Sequence, residues 1–218
     1  IRRSAHGEGL IRLGLLRILG IEYIPRLAAN FLKANPALNI QFTFHTGVTQ
    51  TLIEGLAAKK YDLVFCSQPP ANMNFTAVSV QKQDVVLIVP NDHPLAGRHA
   101  VDLIETIPYP QIFFEKNSGM RTVVDQMFSD IGAEPQIAYE TEEDQVIAGL
   151  VAQNFGIAVV PYMDLLLKLD LKILQIKSPV CERGLYMVHD DKVFMAPAVS
   201  HFRQFVLEGS TFSANGKI

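Results

Sequence analysis

The sequence predicts an α/β protein of two Rossmann-like lobes with mixed, mostly parallel sheets, joined by two hinge crossings. Three observations lead there. Residues 10–65 alternate strand and helix patterns as β-α-β-α-β, and helices between strands force parallel pairing with right-handed crossovers. Residues 111–160 repeat that order without repeating the sequence, which points to two similar lobes rather than one continuous sheet. The elements after residue 160 are too few for a third domain, so they are expected to return and complete the first lobe. The expected boundaries are 8–83 plus 162–212 for lobe I and 84–161 for lobe II, with crossings near residues 81–85 and 160–162.

Each element follows from its residues. Residues 10–16 form an apolar run between Gly9 and Gly20, read as a strand. Ile24, Leu27, Ala28, Phe31 and Leu32 then recur at the i, i+3, i+4, i+7, i+8 spacing of one buried helix face. Asn35-Pro36 ends that helix, because the residue before proline is pushed out of the α region. Ile40, Phe42 and Phe44 alternate with Gln41, Thr43 and His45, the period of a strand with one buried face. A helix over 48–58 turns Leu52, Ile53, Leu56 and Ala57 inward, and Tyr61-Asp62 leads into the apolar run 63–66. After a polar loop at 67–74, two strands are expected at 75–80 and 84–90, then a loop at 91–99 and a short helix at 101–106. The second unit has a strand at 111–114 and a helix at 118–131 with Val123, Val124, Met127, Phe128 and Ile131 as its apolar stripe. A strand at 136–139, a helix at 142–153 and a strand at 157–160 complete it. Beyond lie a short helix near 164–169, strands at 171–176 and 184–188, a helix at 198–207 and a frayed tail at 212–218.

The chain has 218 residues, 49% hydrophobic and 19% charged, which is enough to bury a substantial core. A net charge of −3 provides no basic face, so this chain is not expected to bind DNA by itself. Two cysteines, Cys66 and Cys181, form no CxxC pair, which favours a reducing compartment and a cytoplasmic location. No apolar run reaches the ~18 residues of a membrane helix, and the basic start Ile1-Arg2-Arg3-Ser4 is not followed by a signal-peptide pattern. The chain begins without methionine and is read as a fragment with a further segment upstream. No GxSxG elbow, GxxxxGK[ST] loop or HExxH helix occurs, so neither catalysis nor a cofactor is expected. His93 and His99 share a loop without a third metal ligand nearby. His189-Asp190-Asp191 reads as a turn and Cys66 as a small buried side chain.

Three stretches carry a family pattern. Residues 87–97, Leu-Ile-Val-Pro-Asn-Asp-His-Pro-Leu-Ala-Gly, resemble the strand-and-loop signature of LysR-type transcriptional regulators. Residues 52–65 and 146–161 resemble that family's second-helix-to-third-strand segment and its return to the first lobe. The order and spacing of the three carry the resemblance over roughly residues 9–207. It implies an effector-binding domain built like a type 2 periplasmic binding protein, with two lobes closing on a small ligand. It also implies a homodimer or tetramer, and DNA contact only through a helix-turn-helix domain missing from this chain, with residues 1–5 ending its linker. Two departures are visible: Asn154 and Lys60 stand where glycine is common, and Asn is the best substitute in a left-handed position. Where many members carry Ser or Thr after the first strand, this chain has Leu16-Arg17-Ile18-Leu19. The alternative reading is a transport-type solute-binding protein of the same architecture.

The expected ligand residues follow from sheet topology, because such sheets bind ligands outside the carboxyl ends of their strands. In lobe I these are Arg17, Ile18, Thr46, Gly47, Val48 and Gln68. Thr46 is expected to cap the following helix and Gly47 to let the backbone approach the ligand. In lobe II they are Phe114, Ser118, Gly119 and Thr141, with Ser118 at a helix start and Thr141 opening a capping box. Orphan N–H groups at helix starts attract anions, and Arg17 can hold a carboxylate with two hydrogen bonds. A small carboxylate is therefore the expected effector. Capping alone, or a solvated arginine, accounts equally for these residue types. Arg121 is read as a surface or dimer-contact side chain.

Overall fold

The computed structural model describes residues 9–70 and 73–213. The chain divides into two compact units, one of residues 1–82 with 184–218 and one of residues 83–183.

Unit 1 is built on three parallel strands. β1 (Gly9–Leu15) lies between β2 (Ile40–Thr46) and β3 (Leu63–Cys66), and Leu15 pairs with both Thr46 and Phe65. β10 (Glu182–His189) runs antiparallel to β3. Helix α1 (Tyr23–Ala34) buries Ile24, Ala28 and Phe31, the expected face. Its end is closed by Asn35, whose backbone N–H and side-chain amide both donate to the Phe31 carbonyl. Helix α2 (Thr49–Ala57) buries Leu52, Ile53 and Leu56 against Val64, Cys66 and Val188. Helix α5 (Pro197–Ser213) buries Ala198, Val199, Phe202 and Val206 in one cluster with β1 and α1, where Phe31, Phe42 and Phe202 meet edge-to-face. The expected fray at 212–218 is helix through Ser213; the rest of that expectation, and the linker end and domain start placed within residues 1–8, lie outside the described residues.

Unit 2 carries β6 (Pro110–Phe114) and β7 (Gln136–Thr141) in parallel, with helices α3 (Gly119–Asp130) and α4 (Asp144–Ala152) after them. Its other strands are the second half of β4 (Thr76–Pro90), β5 (Ala100–Asp102), β8 (Ala158–Pro161) and β9 (Leu171–Ser178). β4 pairs antiparallel with β8 and β9, and β9 pairs parallel with β5. The fold is thus mixed α/β.

Three expectations change. Residues 75–80 and 84–90 form one strand, because the polar stretch Gln81-Lys82-Gln83-Asp84 keeps the in-out alternation and Gln83 is held by Tyr162 and Arg183. The expected helix at 101–106 is β5 followed by a 3-10 turn (Leu103–Thr106), since Val101 pairs with Ile176. The return to unit 1 falls at residues 183/184 instead of 160–162, because β9 pairs with Val86 to Pro90 and so keeps residues 162–183 in unit 2. Both unit boundaries therefore fall inside strands, β4 and β10. Asn154 has φ of +65°, as the glycine position demands, while the other left-handed non-glycine residue among the described residues is Lys59 (φ +58°) and not Lys60.

Candidate functional site

The expected residues gather into two groups, one at the carboxyl edge of each unit's parallel strands. In unit 1 the register puts Leu15, Thr46 and Phe65 side by side, so the residues that follow each strand share one edge. The Leu16 amide donates to the Phe65 carbonyl at 3.0 Å and the Gly47 amide to the Leu15 carbonyl at 3.2 Å, which stitches the edge together. Arg17 and Ile18 sit in the 3-10 turn Arg17–Gly20, with Arg17 exposed and Ile18 half-buried. Thr46 and Gln68 are exposed at the ends of their loops, and Ser67 between Cys66 and Gln68 is buried.

In unit 1, two roles assigned from the sequence do not hold. Thr46 ends β2 and does not cap α2; the N-cap is Val48, which has no side-chain acceptor to offer. The strand runs one residue further and the helix starts two residues later than a Thr46 cap requires. Gly47 contributes no free amide, because Leu15 takes it, and its missing side chain serves packing instead: a Cβ there would stand 2.9 Å from the Thr51 hydroxyl.

The structure adds a residue the sequence reading missed. Thr49, the first residue of α2, is 6% exposed, and its buried hydroxyl has no hydrogen-bond partner among the described residues. A buried, unpaired hydroxyl costs roughly 1–3 kcal/mol. Here it lies at a helix N-terminus that its own N-cap leaves unsatisfied, where orphan N–H groups and the helix dipole favour an anion. The available signal was the pair Thr49 and Thr51 flanking Gln50; Thr51 instead turns its hydroxyl back to the Val48 carbonyl at 3.0 Å.

In unit 2, Phe114 and Thr141 are register partners at the strand ends, and the Glu115 amide donates to the Thr141 carbonyl at 3.1 Å. Ser118 caps α3 as expected, its hydroxyl accepting from the Met120 amide at 3.2 Å, and Gly119 opens the helix. Phe114 is buried, so it supports the edge from beneath and does not line it. Thr141 opens no capping box: α4 starts at Asp144 with Glu143 as N-cap and no side-chain cap bond. Glu142, Glu143 and Asp144 place negative charge at that helix start, which disfavours a second anion there.

Arg121 is not the surface residue expected. It is buried, and its Nε donates to both Asp125 oxygens at 2.9 and 3.0 Å. Its Nη1 donates to the Phe114 carbonyl at 2.7 Å and to Glu140, while the guanidinium lies 5.2 Å from the Phe113 ring centroid. Burial pulls its pKa down, but the bonds to Glu140 and Asp125 outweigh this and hold it above the ordinary arginine value.

Elsewhere, a small open pocket in unit 1 is lined by Arg12, Tyr61, Asp62 and Phe194 among others. It lies at the amino end of β3, the opposite end from Cys66, where Arg12 and Asp62 form a two-pronged ion pair and Arg12 also donates to the Lys59 carbonyl. His189, read as part of a turn, ends β10 fully inside, with Nε2 2.9 Å from Asp191. Among the described residues no group of three His, Cys, Asp or Glu could hold a metal ion, and no helix is long and apolar enough to cross a membrane.

Comparison with known proteins decides between the two readings of this architecture. The LysR substrate binding domain family matches residues 4–211. The chain is 28% identical over 200 residues, 92% of its length, to the uncharacterized HTH-type transcriptional regulator YybE of Bacillus subtilis. It is 27% identical over 85% of its length to the RuBisCO operon transcriptional regulator of Allochromatium vinosum. It spans 68% and 62% of the lengths of those two proteins. Among solved structures, the effector binding domain of QuiR in complex with shikimate superposes with a TM-score of 0.91 at 32% identity, covering 94% of this chain and 98% of that one. The relatives are named as regulators and not as transport receptors, and with the family match over nearly the whole chain this protein belongs to the LysR substrate-binding domain family, the effector-binding domains of LysR-type transcriptional regulators.

Proposed function

We propose that this domain senses a small organic carboxylate and passes the binding event to a DNA-binding segment of the full-length regulator. The observation that carries the ligand class is the buried, unpartnered hydroxyl of Thr49 at the uncapped start of α2. A carboxylate oxygen can accept from that hydroxyl and from first-turn backbone amides at once, which offsets the cost of the unpaired group. Arg17, exposed in the adjoining turn, supplies the balancing charge. Ile18 and Val48 provide apolar wall and Thr46 and Gln68 polar contacts. In unit 2, taken by itself, Ser118, Gly119 and Thr141 offer polar groups to an effector at the strand ends, and Phe114 supports them from below. Shikimate, found in the QuiR domain, is a cyclic carboxylate of the right chemistry to serve as the first probe.

The test is calorimetric titration with shikimate, benzoate, other small carboxylates, amino acids and the neutral methyl ester of shikimate. Binding is expected to require the free carboxylate, and Arg17→Ala is expected to weaken it by roughly 1.5–3 kcal/mol, the scale of a hydrogen bond to a charged group. Preference for cationic or wholly apolar ligands, unchanged by Arg17→Ala, overturns the reading. The regulator's DNA-binding activity, its enzymatic inertness, its cytoplasmic location and its homodimeric or tetrameric state belong to the same proposal. Footprinting with the full-length protein, with and without effector, tests the coupling.

A further inference from the structure

We infer that Arg121 is a positioning residue for the effector site of unit 2. The inference rests on the proposed carboxylate reading and adds to it the group that holds the unit 2 contacts in place. Three chain segments reach that edge: the end of β6, the end of β7 and the first turn of α3. Arg121 binds all three. Its Nη1 donates to the carbonyl of Phe114, the last residue of β6, at 2.7 Å. The same nitrogen donates to Glu140, the neighbour of Thr141 at the end of β7. Its own backbone amide donates to the Ser118 carbonyl at 3.1 Å, at the cap of α3, and its Nε grips Asp125 one turn along that helix.

A long cationic side chain is rarely buried without a task, and this one is buried beside an aromatic ring between two half-exposed carboxylates. Its planar fork is what allows a backbone carbonyl and two carboxylates to be met from different directions; an ammonium has no such fixed geometry. Loss of the fork frees the Phe114 carbonyl and lets Ser118-Gly119 drift from the strand ends. Displacements of about 1 Å at a binding edge are enough to weaken oriented hydrogen bonds severely. Arg121 does not itself touch the effector in this scheme: Asp125 takes its Nε, and the Phe114 carbonyl and Glu140 take its Nη1.

The test compares the wild-type chain with Arg121→Lys, Arg121→Met and Glu140→Gln. The Glu140 variant loosens the network without leaving a carboxylate unpaired, so it reports even where Arg121→Met folds poorly. Two readouts are taken well below the unfolding midpoint: amide hydrogen exchange across residues 114–125, and affinity for shikimate against its methyl ester. Faster exchange is expected at Ser118 to Arg121 with the rest of unit 2 unchanged. Shikimate affinity is expected to fall about tenfold in Arg121→Met, the scale of a lost charged hydrogen bond, and less in Arg121→Lys and Glu140→Gln. The ester, which carries the same ring and hydroxyls, is expected to weaken by the same factor. A purely structural role speeds exchange throughout unit 2 and not only at Ser118 to Arg121, and that result overturns the inference. Local loosening with shikimate affinity within twofold of wild type also overturns it. Failure of the wild type to prefer any free carboxylate over its ester instead removes the effector reading, and the positioning role falls with it.

Discussion

At the scale of single residues, the two most informative groups are polar atoms buried without partners. Thr49→Val keeps the shape of the side chain and removes its unpaired hydroxyl. The ligand-free domain is therefore expected to gain about 1 kcal/mol, read as a higher urea midpoint at unchanged slope, while carboxylate affinity falls. A loss of stability instead would mean that the hydroxyl already has a partner in solution. His189 makes a second case. Its Nε2 serves Asp191, but its buried Nδ1 has no partner, and a proton there would enter an unsolvated site. Burial first, then the charge of Arg203, push its pKa below the usual histidine value, against the opposing pull of Asp191 and Asp190. The folded state thus binds a proton less readily than the unfolded chain. Stability is full above the unfolded histidine value of about 6.5 and is lost as pH falls through it toward the folded value. His93 is shifted in the same direction by burial and adds to the effect. Urea midpoints at pH 7.5 are expected to exceed those at pH 5.5, and His189→Gln to reduce the difference; an equal slope in that variant would assign the dependence elsewhere.

At the scale of elements, Tyr61 shows how two glycines make one joint. Its ring fits between β1 and α2, where a Cβ on Gly14 would come within 2.8 Å of it and a Cβ on Gly55 within 2.3 Å. The ring cannot retreat from one glycine without approaching the other. Gly55→Ala is expected to destabilise by about 1–3 kcal/mol through overpacking, although alanine is the better helix former by roughly 1 kcal/mol. In a Tyr61→Leu background the sign is expected to reverse, and thermal unfolding of the four variants checks it. Elements of this kind were legible in the sequence where one face is apolar: α1, β2, β3 and α3 stand within two residues of their patterns. Legibility failed where polar side chains face outward along a continuing strand, as at Gln81 to Asp84, or where pairing is long-range, as between β9 and β4. The site shows the same division. The positions of Arg17, Gln68 and Ser118 next to strand ends or a helix start were legible, because topology sets them. Thr49 and Arg121 escaped, because no local pattern says which hydroxyl lacks a partner or which arginine is enclosed.

For the whole molecule, the exposed edges bear on assembly. β2 is the terminal strand of its sheet, with Phe44 exposed, and β7 exposes Ile137 and Tyr139. Unpaired edges with apolar side chains are usually covered or charged. An isologous dimer that sets α1 and β2 of one protomer against α3 and β7 of its partner covers both patches twice. Light scattering at tens of micromolar, an order of magnitude suited to a contact of standard size, is expected to show a dimer, and Phe44→Lys to shift it toward monomer. A monomeric wild type would remove that arrangement. The placement of the unit boundaries inside β4 and β10 has a separate consequence. Opening free energies in proteins follow cooperative units and not secondary-structure labels. The amides of β4 before Gln83 and those after it should therefore report two different melting populations, although the strand between them is unbroken. Under increasing denaturant, protection along those fifteen residues is expected to change in a step at its middle, so that one ribbon of backbone keeps two clocks.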